Sequence, residues 1–278
     1  VPGIRPVSKY ADFSVNVQSG LPVWGVALEA LSLVGPEGEI PLDRLRVKTS
    51  LTGGDFRTLS GLAPVIAGDY RLPVCDSKII VSFTPSWEDP AGPYVGRLVL
   101  RPYVPDDGTM SILSSGNHHG LIASDQEVRL TFNNNETIMI EQPQDEVEFK
   151  LHSTPSGREA VAEVDFTVST NAAKWRVVCE STFLDAGSCQ IPTPRIDWRR
   201  LDEYGHILES GNMGKDATVL EGFGPVHELK ARLRLVLPLS PSDLAGSYVG
   251  QLTFTGVVEG TGKRKVNERE IVTPTSGE

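Results

Sequence analysis

Three cysteines and three methionines in 278 residues, with aromatics at only 7%, leave few of the soft or stacking groups that metal clusters and flat cofactors use. The cysteines, Cys75, Cys179 and Cys189, do not fall at a zinc spacing and are too few for a disulfide scaffold. There is no run of about 18 apolar residues, which excludes a membrane-spanning helix. Acids outnumber bases, 36 to 26, and the resulting net charge of −10 argues against nucleic acid, whose binders need a basic stripe. No G-x-S-x-G elbow and no phosphate-cradling glycine loop is present. His118-His119 stand in a loop without a cysteine or carboxylate at ligand spacing, and the adjacent acids Glu88-Asp89 and Asp106-Asp107 read as turn residues. No enzyme activity, cofactor or metal is expected.

Short alternating segments fill the space these absences leave. Glycine and proline, 27 and 20 residues, punctuate them throughout. Phe13, Val15 and Val17 alternate with polar neighbours, as do the segments 42–48, 78–84, 127–132 and 146–152. About seven strands separated by turns fit an immunoglobulin-like sandwich. The one weak helical candidate is 197–208. Asn133–Asn135 signals a hairpin, because asparagine tolerates positive φ.

The pattern occurs twice. Ala91-Gly92-Pro93-Tyr94-Val95-Gly96-Arg97-Leu98 returns as Ala245-Gly246-Ser247-Tyr248-Val249-Gly250-Gln251-Leu252. Trp24–Glu29 matches Trp175–Glu180, and Ile40-Pro41 with Arg44 matches Ile191-Pro192 with Arg195. Asp12–Val15 matches Asp165–Val168, and Gly61–Val65 matches Gly222–Val226. Matches in one order predict two tandem immunoglobulin-like β-sandwich domains related by duplication. The expected division is an extended arm (1–10), a first sandwich (11–108), a linker (109–124), a second sandwich (125–262) and a polar tail (263–278). Trp24 and Trp175, with Tyr94 and Tyr248, are the expected paired core anchors. Cys179 and Cys189 are ten apart, which leaves two alternatives open: one hairpin disulfide with Cys75 free, or three buried thiols.

Pro2 and Pro6 hold the arm extended, and Val1, Ile4, Val7, Tyr10 and Phe13 put an apolar residue at every third position. Such a stripe predicts docking, either onto a neighbouring subunit or back onto the first domain. Few residues precede the first domain's opening strand, which predicts an open sheet edge there.

The Ala-Gly-x-Tyr-x-Gly-x-Leu signature, with the tryptophan strand and Ile-Pro-x-x-Arg upstream, resembles secreted prokaryotic β-sandwich surface proteins of the spore-coat and fimbrial-subunit type. Typical fimbrial subunits are single domains, whereas this chain carries the signature twice. The resemblance implies an extracellular structural or adhesive role. The expected function is thus a secreted, non-enzymatic subunit of a filament, pilus-like fibre or coat, partnered by further copies of itself through strand or arm exchange. The chain's start at Val1, without Met, fits removal of a signal peptide. The alternative is an adhesin or cell-wall module whose partner is a surface glycan or another surface protein.

Overall fold

The computed structural model describes residues 6–259 apart from 50, 52, 70, 72–73, 107–108, 114–123, 143–146, 155–156, 187–188, 215 and 244–247. Period-two alternation broken by glycine and proline favours strands, and among the described residues there is no α-helix. The chain divides into two units, one ending at Asn135 and the other starting at Glu136.

The first unit contains β1 (Lys9–Gln18), β2 (Val23–Gly35), β3 (Gly38–Glu39), β4 (Leu45–Lys48), β5 (Arg57–Thr58), β6 (Leu62–Asp69), β7 (Val74–Phe83), β8 (Gly92–Asp106), β9 (Thr109–Ile112) and β10 (Gln126–Asn134). One sheet has the order β1-β7-β4-β5; the other has β10-β8-β2, with β6 and β3 on β2 and β9 on β8. Their inner faces share one core, in which the Phe83 ring lies 5.0 Å from Tyr94 and 5.9 Å from Phe132. Each such side chain contributes about 1.5–3 kcal/mol by leaving water.

The second unit contains β11 (Ile138–Glu141), β12 (Lys150–Thr154), β13 (Gly157–Thr170), β14 (Lys174–Ser181), β15 (Leu184–Asp185), β16 (Gln190–Ile191), β17 (Asp197–Leu201), β18 (Ile207–Asn212), β19 (Ala217–Phe223), β20 (Val226–Leu239) and β21 (Leu252–Val258). One sheet runs β11-β13-β20-β17-β18, with β12 also on β13, and the other β19-β14-β21. β15 and β16 form a small ladder of their own.

Several expectations change here. β10 hydrogen-bonds along β8 from Gln126↔Leu100 to Asn134↔Gly92, so it completes the first unit and the boundary falls at Asn135 rather than at 125. The expected linker begins with β9, paired to β8. Asn133–Asn135 makes no hairpin, because β10 pairs with β8 while β11 pairs with β13. The helical candidate 197–208 is the β17–β18 hairpin, turned by Asp202, whose carboxylate accepts from the amides of Tyr204 and His206. Cys179 and Cys189 are both free thiols. Cys179 sits in mid-strand with β19 and β21 on its two sides, so the segment carrying Cys189 does not pair with it. The tail and His118-His119 lie outside the described residues.

Three devices recur at the same relative positions in both units. Trp24 stands opposite Gly68 and Trp175 opposite Gly222; a Cβ on either glycine would lie 2.3 or 2.4 Å from the indole Cζ2, so only glycine fits beneath the ring. A bulge follows at Val26/Ala27 and at Val177/Val178. Arg46 faces Ser82, and Asp197 faces Val236, each facing residue lying twelve before its tyrosine (94 − 82 and 248 − 236). The match of Asp12–Val15 to Asp165–Val168 is slipped by two. Phe13 faces Ile79, fifteen before Tyr94, whereas Leu233, fifteen before Tyr248, faces Val164. A two-residue slip keeps every side chain on its own face, so alternation cannot detect it. Gly61–Val65 and Gly222–Val226 lie on non-equivalent segments, since the counterpart of Gly222 beneath the tryptophan is Gly68.

Candidate assembly edges

At the start of β8 the Tyr94 hydroxyl donates to the Pro90 carbonyl at 2.7 Å, which ties the strand's first turn to the core. Asp89, just upstream, is buried and receives both Nη atoms of Arg44 and the Ser86 amide. Burial pushes its carboxyl up, but the hydrogen bonds from Arg44 and Ser86 outweigh that and hold it below its usual value. In the second unit, Arg195 grips Asp243 at 2.7 Å through each Nη, and Ser240 N donates to the same carboxylate. Arg195 lowers the Asp243 carboxyl, with the Ser240 amide assisting. The sequence shows these arginines as part of Ile-Pro-x-x-Arg. Their partners are an acid five residues before each tyrosine, a signal that was there to be found.

The tyrosines then part company. Asn134, the last residue of β10, donates to the carbonyls of Asp89 and Pro90 and closes the first corner. Burial, then the Asp89 charge, pushes Tyr94 up to about 12. Tyr248 instead has Cys189 as a side-chain hydrogen-bond partner, and that thiol and burial push it up to about 12. Burial raises the Cys179 thiol well above its ordinary value, which leaves it protonated and inert.

The sheet edges differ in the same region. β8 has β2 on one side and β10 on the other, whereas β21 pairs with β14 alone among the described residues. Five of the seven residues of β21 are buried, in the pattern of a central strand, yet it stands at an edge. In the first unit Leu130 and Phe132 of β10 fill the core beside Gly96. In the second, Val147 and Phe149 tuck in before β12, and a gap of about 20 Å³ remains against Gly250–Leu252.

β1 is the converse case. It pairs with β7 alone among the described residues, while the corresponding β13 carries β11 and β12 on its outer side. Phe13, Val15 and Val17 are therefore only half-buried, and Val15 and Val17 line a cleft of about 370 Å³ with Leu21, Trp24, Leu100 and Tyr103. Trp24 Nε1 is buried there without a partner, whereas Trp175 Nε1 donates to the Gly224 carbonyl at 3.0 Å. The expected apolar stripe of the arm does not run continuously into β1. Val1 and Ile4 lie outside the described residues, Val7 is 67% and Tyr10 62% exposed, and Phe13 turns inward. Once β1 begins at Lys9 the period becomes two, which sends Tyr10 and Phe13 to opposite faces.

Among the described residues no group of three or more His, Cys, Asp or Glu side chains is placed to hold a metal, and no helix is long and apolar enough to cross a membrane. No family model and no curated protein matches this chain. Among solved structures, the CupB6 tip adhesin from Pseudomonas aeruginosa is 11% identical, with 100% of this chain and 92% of that one covered at a TM-score of 0.35. CfaE, the adhesive subunit of CFA/I fimbria of enterotoxigenic Escherichia coli, is 14% identical over 97% of this chain and 87% of its own, at 0.40. The C-terminal domain of the Streptococcus agalactiae AgI/II polypeptide BspA is 10% identical over 98% and 96%, at 0.22. Likenesses of this size assign neither a family nor a function.

Proposed function

We propose that this chain is a non-enzymatic, surface-displayed adhesive protein of the fimbrial type, joined to its assembly by a partner strand that adds along β21. The observation that carries this reading is that β21, among the described residues, has a partner on one side only: a strand with a central strand's burial and an edge strand's position. Unpaired backbone N–H and C=O groups on such an edge template an incoming strand. The first unit supplies the comparison, because β10 lies along the corresponding strand, β8. We also infer that the two immunoglobulin-like sandwiches arose by duplication, supported by the tryptophan–glycine pairs, the matching bulges and the two arginine–aspartate clamps.

Cross-linking tests the docking. Thr253 and Thr255 are half-buried positions along β21, and Thr255→Cys in the assembled surface material is expected to trap a strand from another polypeptide. Cross-links confined to the chain itself would overturn the reading. A homopolymer of this chain is the second reading, favoured by the additional open edge at β1. Negative-stain microscopy of the purified protein separates the two, since only the homopolymer forms fibres without other components.

A further inference from the structure

The outer face of the β1-β7-β4-β5 sheet carries a feature that strand addition does not use. Tyr10 and Arg46 both stand opposite Ser82, on the strands flanking β7, and Asp12 and Lys48 both stand opposite Ile80. Phe56 precedes β5, and its ring centroid is 5.7 Å from that of Tyr10 with the planes at 44°. The two tilted rings lie on the face that Ser82 shares, and Ser82 is buried there. Tyr10 is 62% exposed, so one side of the aromatic pair is open to solvent.

The cations beside the rings are held by the Phe56 segment rather than by carboxylates. On the other sheet surfaces, Arg97 is tied to Glu127, Arg232 to Asp165 and Arg234 to Glu163. Arg46 Nη2 donates instead to the Phe56 carbonyl at 3.1 Å, and Lys48 Nζ lies 5.7 Å from the Phe56 ring centroid. Neither has a carboxylate partner among the described residues. Asp12, which shares their sheet face, is held by Lys78 at 2.9 Å. A protein of net charge −10 therefore places two cations, without a carboxylate partner among the described residues, next to a tilted aromatic pair.

We propose that this face binds an anionic saccharide, with its pyranose ring against Tyr10 and Phe56 and its carboxylate or sulfate on Arg46 and Lys48. Sugar rings present C–H faces that pack on aromatic rings, and guanidinium and ammonium groups supply charge-assisted hydrogen bonds to the acid group. These cations select against neutral sugars. The inference deepens the adhesive reading and rests on it.

The test is titration calorimetry of the full chain with three oligosaccharides of equal length: a sulfated dextran fragment, an oligogalacturonate and a neutral dextran fragment. Inorganic sulfate is the control for charge alone. The two anionic sugars are expected to bind, more weakly as salt rises, and the neutral one is not. Arg46→Gln and Lys48→Gln should each weaken binding about tenfold or more. Phe56→Ala should weaken the sugars and leave any response to sulfate unchanged. Melting temperatures establish that the variants are folded; if Phe56→Ala unfolds, Lys48→Gln decides the matter. Failure of both anionic sugars to bind, equal binding of the neutral fragment, or undiminished binding by Lys48→Gln would overturn the proposal. Protection of β21 in assembled material, measured on the same variants, shows separately whether docking still stands.

Discussion

In the first unit the nine residues of β10 run along β8 from Gly92 to Leu100; in the second, the strand at the same place in the sandwich has no such neighbour among the described residues. The complementary difference lies across the sandwich, where β13 is flanked by β11 and β12 and β1 is not. Among the described residues each unit therefore has strand pairing that the other lacks. Two sandwiches with the same tryptophan–glycine pair, bulge and arginine–aspartate clamp need not be closed in the same way. The internal fasteners are shared, while among the described residues β1 in one unit and β21 in the other stand at an edge. A core can be conserved in geometry while its perimeter changes partners.

Breaking the fasteners tests how far the two units are alike. Trp175→Ala should cost the second unit about 3–5 kcal/mol, as expected for a buried large aromatic. Trp24→Ala should cost the first unit about 1 kcal/mol less, because its indole N–H has no hydrogen bond to lose. Urea unfolding followed separately in each unit measures the difference, and equal losses would mean that the Gly224 contact contributes nothing. Gly68→Ala and Gly222→Ala should each cost about 1–3 kcal/mol, since the new methyl meets an indole that cannot withdraw from a packed core. A loss at only one of the two glycines would break the comparison.

The clamps give a pH signature. The Asp89 and Asp243 carboxyls are held below their usual values, so their stabilisation is present at neutral pH, above the unfolded-state pKa. It is lost as pH falls through the lowered folded values. Asp89→Asn should destabilise the first unit at pH 7 and flatten the fall of its stability on the acid side of the ordinary carboxylate pKa, about 4. Asp243→Asn should do the same in the second unit. Persistence of the acid-dependent loss in both variants would contradict the assignment. The smallest effect is expected from Tyr94→Phe, about 1 kcal/mol for the bond to Pro90.

Much of this was visible in the residues. The alternation announced the strands, Trp24 and Trp175 each fall on a strand opposite a glycine, and Ala-Gly-x-Tyr precedes or opens β8 and β21. Signals of longer range were not legible. Residues 127–132 read as a strand, but nothing local says that this strand turns back onto β8 rather than opening the next unit. The slip between Asp12–Val15 and Asp165–Val168 is hidden because a two-residue shift leaves each face unchanged. Trp198, Leu201, Ile207 and Leu208 mimic helical spacing until Asp202 and Gly205 turn the chain into a hairpin. The aromatic and cationic face escaped notice because Tyr10, Arg46, Lys48 and Phe56 come from three separate segments that only the sheet register brings together.

The account rests on β21 as a strand that receives another, and amide hydrogen exchange examines it directly. In the isolated chain, the amides of Leu252–Val258 that do not bond to β14 should exchange quickly, and those of β8 slowly on both sides. In assembled surface material the fast β21 amides should slow by orders of magnitude as a partner strand covers them. Unchanged exchange along β21, in material shown to contain the assembled protein, would contradict the account.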